Sequence, residues 1–94
     1  SENKELAPLF ADLFDPDGSE IYLKPVTNYI KPGMEVDFYT VTESARRRGE
    51  IAIGYKVASL ARDGSASYGV VVNPNKAERI KFSAEDKLVV VAES

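Results

Sequence analysis

The chain has 94 residues, of which 44% are hydrophobic and 29% are charged, and this composition is typical of one small globular domain. Its net charge of −3 argues against a nucleic-acid binder, which normally carries a basic stripe. No run of residues approaches the ~18 consecutive apolar residues of a membrane span. Because the chain has no His and no Cys, the commonest general base and the thiol nucleophile are missing, and we expect no enzyme activity.

The two ends of the chain indicate a piece of a longer protein. Ser1 stands where an initiator Met would be expected, and the chain ends on Ala92, Glu93 and Ser94, directly after a strongly apolar run. We therefore expect residues 1–94 to form a single domain that belongs to a larger polypeptide.

The first predicted element is a helix over residues 4–13. Its apolar residues recur at the spacing i, i+3, i+4 and i+7, which places Leu6, Leu9, Phe10 and Leu13 on one helix face. The following Asp15–Gly18 stretch predicts a tight turn that ends this helix.

A second helix is predicted to begin near Glu35 or Asp37 and to end in Arg46–Arg48. Phe38, Val41 and Ala45 would form its buried face, together with Thr42. Acidic residues at its start and arginines in its last turn both complement the helix dipole, and Gly49 suits the position after its end.

Four strands are predicted from alternating or continuous apolar runs. Ser83 is predicted to cap a single helical turn before the last of them, because a serine hydroxyl accepts from the backbone N–H three residues on. The apolar last run predicts a central strand that is covered on both faces. The predicted strands are 20–26, 50–57, 68–72 and 88–92, with turns at 30–34 and 73–76 and a loop at 62–67.

This order of elements predicts an α+β fold. A small mixed four-stranded sheet would carry two helices packed on one of its faces.

The acidic stretch before the first strand is a candidate metal site. Asp15, Asp17 and Glu20 offer the oxygen ligands that Ca²⁺ prefers. In an EF-hand alignment, however, Leu13 and Lys24 occupy the first and last ligand positions, so the loop fails at both ends. The alternative is a turn whose aspartates accept hydrogen bonds from local backbone donors.

Two other features are candidates for binding. The three arginines at 46–48 either hold a phosphate or carboxylate, or only solvate the end of the second helix. Arg48 is the first choice for a binding role because it lies beside Gly49 and Glu50 at the entry to a strand. Of the five tyrosines, one or two are expected at a pocket or interface and the others at the edge of the core.

Two strings of the sequence are distinctive, G-S-E-I-Y within Gly18–Pro25 and R-G-E-I-A-I-G-Y over Arg48–Tyr55. Shorter strings accompany them: Phe38 with Ala45 and Arg46, Val72–Pro74, Phe82–Ser83, Asp86 and Val89–Glu93. Together these strings resemble the CASTOR/POLLUX family of ion channels, over about residues 6 to 93.

The resemblance implies a C-terminal RCK (TrkA-C-like) regulatory domain on the cytoplasmic side of a cation channel, with potassium as the expected ion. It implies a homodimer, attachment to the rest of the channel polypeptide, and a small ligand or Ca²⁺ whose binding is coupled to gating. Neither nucleic-acid binding nor direct membrane insertion is expected of this domain.

We single out Arg48, Glu50, Tyr55 and Asn73 as candidate ligand-binding residues within these strings. The alternative function is a stand-alone sensor of a small molecule or divalent cation. No cofactor can be named, since the chain has neither a dinucleotide fingerprint nor a P-loop motif.

Overall fold

A computed structural model describes residues 19–93, so the predicted helix at 4–13 and the turn at Asp15–Gly18 lie outside the described residues. The described part is α+β, as predicted. Its elements are β1 (Glu20–Pro25), β2 (Glu35–Asp37), α1 (Phe38–Arg47), β3 (Ile51–Lys56), β4 (Val70–Val72), β5 (Arg79–Lys81) and β6 (Lys87–Ala92).

Four of the strands form the main sheet, in the order β1-β6-β3-β4. Every pairing in it is antiparallel, so the sheet is not mixed as the sequence suggested. β6 lies in the interior of the sheet, and all five residues from Leu88 to Ala92 are buried. The prediction of a central, apolar last strand is therefore confirmed.

Helix α1 confirms the second predicted helix. The Asp37 carboxylate accepts a hydrogen bond from the Thr40 N–H at 2.9 Å, and this side-chain cap fixes where the helix begins. Gly49 follows the helix with φ of +76°, a conformation in which a residue without Cβ is least strained.

The core lies between α1 and one face of the sheet. Phe38, Val41 and Ala45 of the helix meet Leu88 and Val90 of β6 there. Two further rings, Tyr55 and Phe82, pack edge to face at 5.3 Å between centroids. We call this side of the sheet the inner face.

Two short strands were missing from the sequence prediction. β2 and β5 form a separate antiparallel pair in which Val36 lies opposite Ile80. Each strand has only three residues, which is too short for an alternating pattern to stand out.

Two local predictions need correction. The strand predicted at 68–72 begins only at Val70, because Tyr68 has φ of +57°; the preceding residues 62–67 form a loop that contains a short 3₁₀ turn from Gly64, with non-helical backbone angles at Ala66 and Ser67. Ser83 caps no helical turn. Instead, the Asp86 carboxylate accepts from the N–H groups of Ser83 at 2.9 Å and Ala58 at 2.8 Å, because a carboxylate accepts several donors at once.

Gly54 is required where β3 meets β4. A Cβ at this position would collide with the carbonyl oxygen of Val71, which is backbone and cannot move aside. We expect Gly54→Ala to lower the free energy of unfolding by about 1–3 kcal/mol, measured by urea denaturation. Gly64→Ala is the control, because its Cβ would meet only the end of the exposed Tyr68 side chain. Equal losses in the two variants would contradict this explanation.

Candidate functional site

A cluster of polar side chains surrounds Glu50, which lies between the end of α1 and the start of β3. Glu50 is only 7% exposed, and its backbone N–H donates to the Ala45 carbonyl at 3.0 Å. Lys24 reaches it from the inner face of β1, and Tyr29 follows the 3₁₀ turn Val26–Asn28. We call Lys24, Tyr29, Arg48 and Glu50 the Glu50 cluster.

The Glu50 carboxylate is bound on both oxygens. Lys24 Nζ donates to Oε2 at 2.7 Å, and the Tyr29 hydroxyl donates to Oε1 at 2.6 Å. A buried carboxylate is costly unless it is paired and hydrogen-bonded, and here it is both. The Glu50 carboxylate therefore connects edge strand β1, the segment at Tyr29 and the start of β3.

Arg48 is the outermost member of the cluster. Its guanidinium carbon lies 5.2 Å from the centroid of the Tyr29 ring, within the range of a cation–π contact. Its Nε lies 4.0 Å from Glu50 Oε1, and its side chain is 47% exposed. Arg48 is thus held in place by its neighbours but remains open to solvent.

The cluster perturbs two pKa values in opposite directions. Burial works to raise the pKa of Glu50, but the hydrogen bonds from Lys24 and Tyr29 and the positive charges of Lys24 and Arg48 together hold it below its usual value. Burial, followed by the hydrogen bond to the anionic Glu50, raises the pKa of the Tyr29 hydroxyl far above its usual value. Both shifts favour an ionised Glu50 beside a protonated Tyr29.

The lowered pKa of Glu50 predicts how the stability of the fold changes at acidic pH. A carboxyl group whose pKa is lower in the folded state stabilises the fold above its unfolded pKa of about 4.3. That contribution is lost as the pH falls through the folded-state value. We expect the stability difference between the wild type and Glu50→Gln to narrow below about pH 4, in urea denaturation repeated from about pH 7 to about pH 3. A difference that stays constant over this range would contradict the assignment.

A small cavity of about 270 Å³ opens beside the cluster, between the second half of α1 and the start of β3. Glu50 lines it together with two cationic side chains, Arg46 and Lys76. Arg46 also forms two hydrogen bonds to Glu43, at 3.1 and 2.8 Å. The remaining lining residues are Thr42, Gly49, Ile51 and Ala52. A wider but more open depression lies over Phe82, outside the cluster.

The cavity has the size for a small ligand, since its volume is slightly below the range of about 300–1,000 Å³ typical of drug-sized ligand pockets. Of its charged lining residues, Glu50 is already bound to Lys24 and Tyr29, and Arg46 is bound to Glu43. Lys76 is the charged lining residue outside these pairs.

The structure brings together two of the four predicted ligand residues, Arg48 and Glu50. Tyr55 is 7% exposed, and its ring packs in the core between Phe38 and Phe82. Asn73 is exposed in the turn after β4, with φ of +57°, and its N–H donates to the Ile53 carbonyl at 2.7 Å.

The predicted metal ligands are not brought into one described site. Asp15 and Asp17 lie outside the described residues, and Glu20 is an exposed residue of β1 opposite Ala92. Between residues 19 and 93 there is no group of three or more His, Cys, Asp or Glu side chains placed to hold a metal ion. The Ca²⁺ site stays a prediction.

Sequence reasoning did not identify Lys24 and Tyr29 as partners of Glu50. The alternation in β1 contained a signal for Lys24: Tyr22 and Lys24 share one face of the strand, and that face proved to be the inner one. Tyr29 lies 21 residues before Glu50, and no short motif links the two positions.

None of the helices within residues 19–93 is long and apolar enough to cross a membrane.

No protein-family model matches the chain. Among curated proteins it is 35% identical over 95 residues to a probable ion channel POLLUX of Arabidopsis thaliana, and that match covers the whole chain. It is 32% identical over 93 residues to the ion channel CASTOR of Lotus japonicus, across 99% of the chain. It is also 32% identical over 93 residues to the ion channel DMI1 of Medicago truncatula, across 98% of the chain.

These matches cover 11%, 10% and 10% of the three channels, so the chain spans about a tenth of the length of its curated relatives. The resemblance seen in the strings at Gly18–Pro25 and Arg48–Tyr55 extends to the chain as a whole. The chain is homologous, over essentially its whole length, to a segment of the CASTOR, POLLUX and DMI1 ion channels.

Proposed function

We propose that this chain is a cytosolic regulatory domain of a CASTOR/POLLUX-like cation channel, of the C-terminal RCK (TrkA-C-like) type, and that it couples ligand binding to gating. The observation that carries the proposal is the similarity of the whole chain to proteins named as ion channels. The conducted ion is expected to be potassium, and the domain is expected to act by binding and by shape change rather than by catalysis.

The cavity beside Glu50 supports a route for such coupling. A ligand between Arg46 and Lys76 would touch the Gly49–Ala52 segment, where the chain leaves α1 and enters β3. Through Glu50 the same segment is bound to Lys24 on β1, an edge strand of the sheet. A ligand shifts a conformational equilibrium only by its difference in affinity for the two states. A rearrangement of the Glu50 cluster would give the two states different affinities for the ligand.

The ligand test is a thermal-shift measurement on the 94-residue chain with inorganic phosphate, nucleotides and Ca²⁺ at millimolar concentrations. A ligand that binds the folded state raises the melting temperature, and a concentration of 100 times Kd stabilises by about 2.7 kcal/mol. We expect phosphate to raise the melting temperature of the wild type, and we expect Lys76→Gln to abolish this rise. The control is Lys31→Gln, which replaces an exposed lysine outside the cavity and should leave the rise intact. No rise with any probe would refute direct sensing by this domain.

The alternative, a stand-alone sensor of a small molecule or divalent cation, has the same binding site but needs no channel. A rise with Ca²⁺ that is lost in Asp15→Asn/Asp17→Asn would favour the predicted acidic site over the cavity. Only attachment to a pore separates the two functions, so the sequence of the full-length protein that carries this chain decides between them.

The homodimer is a separate part of the proposal. Sedimentation velocity of the chain at high micromolar concentration is expected to give a dimer whose fraction falls on dilution. A chain that remains monomeric at these concentrations would count against dimerisation by this domain.

A further inference from the structure

Strand β1 forms one edge of the main sheet. Within the part of the chain that the structure describes, it pairs with β6 alone, in a register that runs without a bulge from Glu20 to Pro25. The backbone N–H and C=O groups that point away from β6 therefore form a row along this edge, and such a row can bind a further strand. The opposite edge, β4, has only three residues.

The edge at β1 also presents exposed apolar side chains. Ile21 is 66% exposed and Leu23 is 50% exposed, and both project to the face of the sheet away from α1, which we call the outer face. Edge strands commonly carry an outward charge or a bulge that prevents pairing with another chain. The lysine of β1 gives little such protection, because Lys24 turns inward, with its Nζ 2.7 Å from Glu50 Oε2.

The sequence of β1 is complementary to itself. If a second copy of the strand lies antiparallel with its Tyr22 opposite Tyr22, then Ile21 lies opposite Leu23 and Glu20 lies opposite Lys24, twice over. Directly opposite side chains project to the same face, so two apolar pairs form on the outer face and two pairs of opposite charge on the inner face. The Lys24 ammonium has three donors, so it can keep Glu50 and also bind a second carboxylate.

Other registers lose this match. A slide of one residue would bring the outer face of one copy onto the same side as the inner face of the other. A slide of two residues leaves neither charge opposite its counterpart. A slide of four residues places Glu20 opposite Glu20 or Lys24 opposite Lys24, and like charges directly opposite each other are destabilising.

We propose that two copies of the domain pair antiparallel through β1, about a two-fold axis at Tyr22, and so join their four-stranded sheets into one continuous sheet. The inference rests on the homodimer of the proposed function and names the surface through which that homodimer forms. A symmetric contact of this kind closes at two chains, because the same edge of each copy is used up.

The apolar pair of β1 continues a surface that is already buried inside the domain. Ile21 lies opposite Val91 and Leu23 lies opposite Val89 on β6, and both valines are at most 8% exposed. Pairing through β1 would therefore extend the apolar outer face across the dimer axis. Because few residues of each chain take part, compared with about 20–30 in a standard interface, the dimer is weak and dissociates on dilution.

The test is disulfide cross-linking between Ile21→Cys and Leu23→Cys chains, in a protein that has no cysteine of its own. In the proposed register these two positions face each other with Cα atoms about 4.5–5.5 Å apart, which a disulfide can bridge. Two chains of the same variant would place their cysteines on a diagonal of about 7–8 Å, which is too far. One variant carries a heavy isotope, so that mass spectrometry separates mixed from like dimers.

We expect the mixed dimer to exceed clearly the half that random pairing gives, in a glutathione buffer that lets disulfides exchange. The control pairs Ile21→Cys with Val72→Cys, which is 61% exposed at the opposite edge of the sheet, and should give random proportions.

Sedimentation velocity provides a second measurement, on variants whose side chains are half or more exposed. Leu23→Glu is expected to raise the dimer dissociation constant by about tenfold or more, because it places a carboxylate in both apolar pairs. Val72→Glu is the matched control and should leave the dimer as in the wild type.

The outcomes separate this inference from the function proposed above. Random cross-linking in a wild-type chain that still dimerises would overturn the pairing through β1 and leave the homodimer in place. A dimer that Val72→Glu dissociates and Leu23→Glu does not would move the interface to the opposite edge and overturn it as well. A wild-type chain that stays monomeric would overturn the homodimer together with this inference, while the ligand test at the cavity would be unaffected.

Discussion

Replacing Glu50 with alanine is expected to lower the free energy of unfolding by about 2–4 kcal/mol, measured by urea denaturation at neutral pH. The substitution leaves the Tyr29 hydroxyl without its acceptor and removes the Glu50 carboxylate from beside the Lys24 ammonium, which is only 21% exposed. Removing one member of a buried pair costs more than the pair contributes, because the remaining group stays desolvated.

Glu43→Ala is the matched control for this prediction. Glu43 also pairs with cations, Arg46 at 2.8 Å and Arg47 at 3.5 Å, but it lies on the exposed side of helix α1. Surface ion pairs contribute little, so we expect a much smaller change than at Glu50. If the two variants lose similar stability, the Glu50 cluster is not the buried junction described here.

Truncating Phe38 to alanine is expected to have the largest effect of any substitution considered, a loss of about 3–5 kcal/mol. Phe38 is 1% exposed at the start of α1, and its ring lies 6.2 Å from that of Tyr55 between centroids. The cavity left behind would be lined by core side chains that cannot all move in to fill it.

The neighbouring Tyr39 is the control, because it is 60% exposed one residue along the same helix. Tyr39→Ala is expected to change stability by no more than about 0.5 kcal/mol. Denaturation midpoints of the two variants, compared at equal slope, test this contrast. A comparable loss in Tyr39→Ala would show that burial of the Phe38 ring in the core does not determine the effect.

The long elements could be predicted from the sequence, and the short ones could not. Helix α1 followed from Phe38, Val41 and Ala45 together with the acidic start and Gly49, and β6 followed from its unbroken apolar run. β2 and β5 were not predicted because three residues are too few to show an alternating pattern. The cap predicted at Ser83 was wrong because serine and aspartate side chains can both accept hydrogen bonds from backbone N–H groups. The contact between Asp86 and the Ala58 N–H shows that the aspartate is the acceptor here.

The candidate site was predictable only in part, for a similar reason. Arg48 and Glu50 were found because they adjoin a helix end and a strand start, which is local information. Lys24 and Tyr29 lie 26 and 21 residues before Glu50 in the sequence. They come close to Arg48 and Glu50 only because β1 pairs with β6 and β6 pairs with β3. Tyr55 was predicted to bind a ligand, but it occupies an inner-face position and its ring packs in the core.

The most direct test of the proposed regulatory role is single-channel recording of a CASTOR/POLLUX-like channel that carries this domain, with and without millimolar inorganic phosphate on the side of the domain. Allosteric coupling links a ligand site to an equilibrium between states, so it alters how often the pore is open and not how fast an open pore conducts. We predict that Lys76→Glu changes the effect of phosphate on open probability and leaves the single-channel conductance as in the wild type, while the control Lys31→Glu changes neither. A conductance altered by Lys76→Glu, or an open probability that responds identically in both variants, would contradict the account.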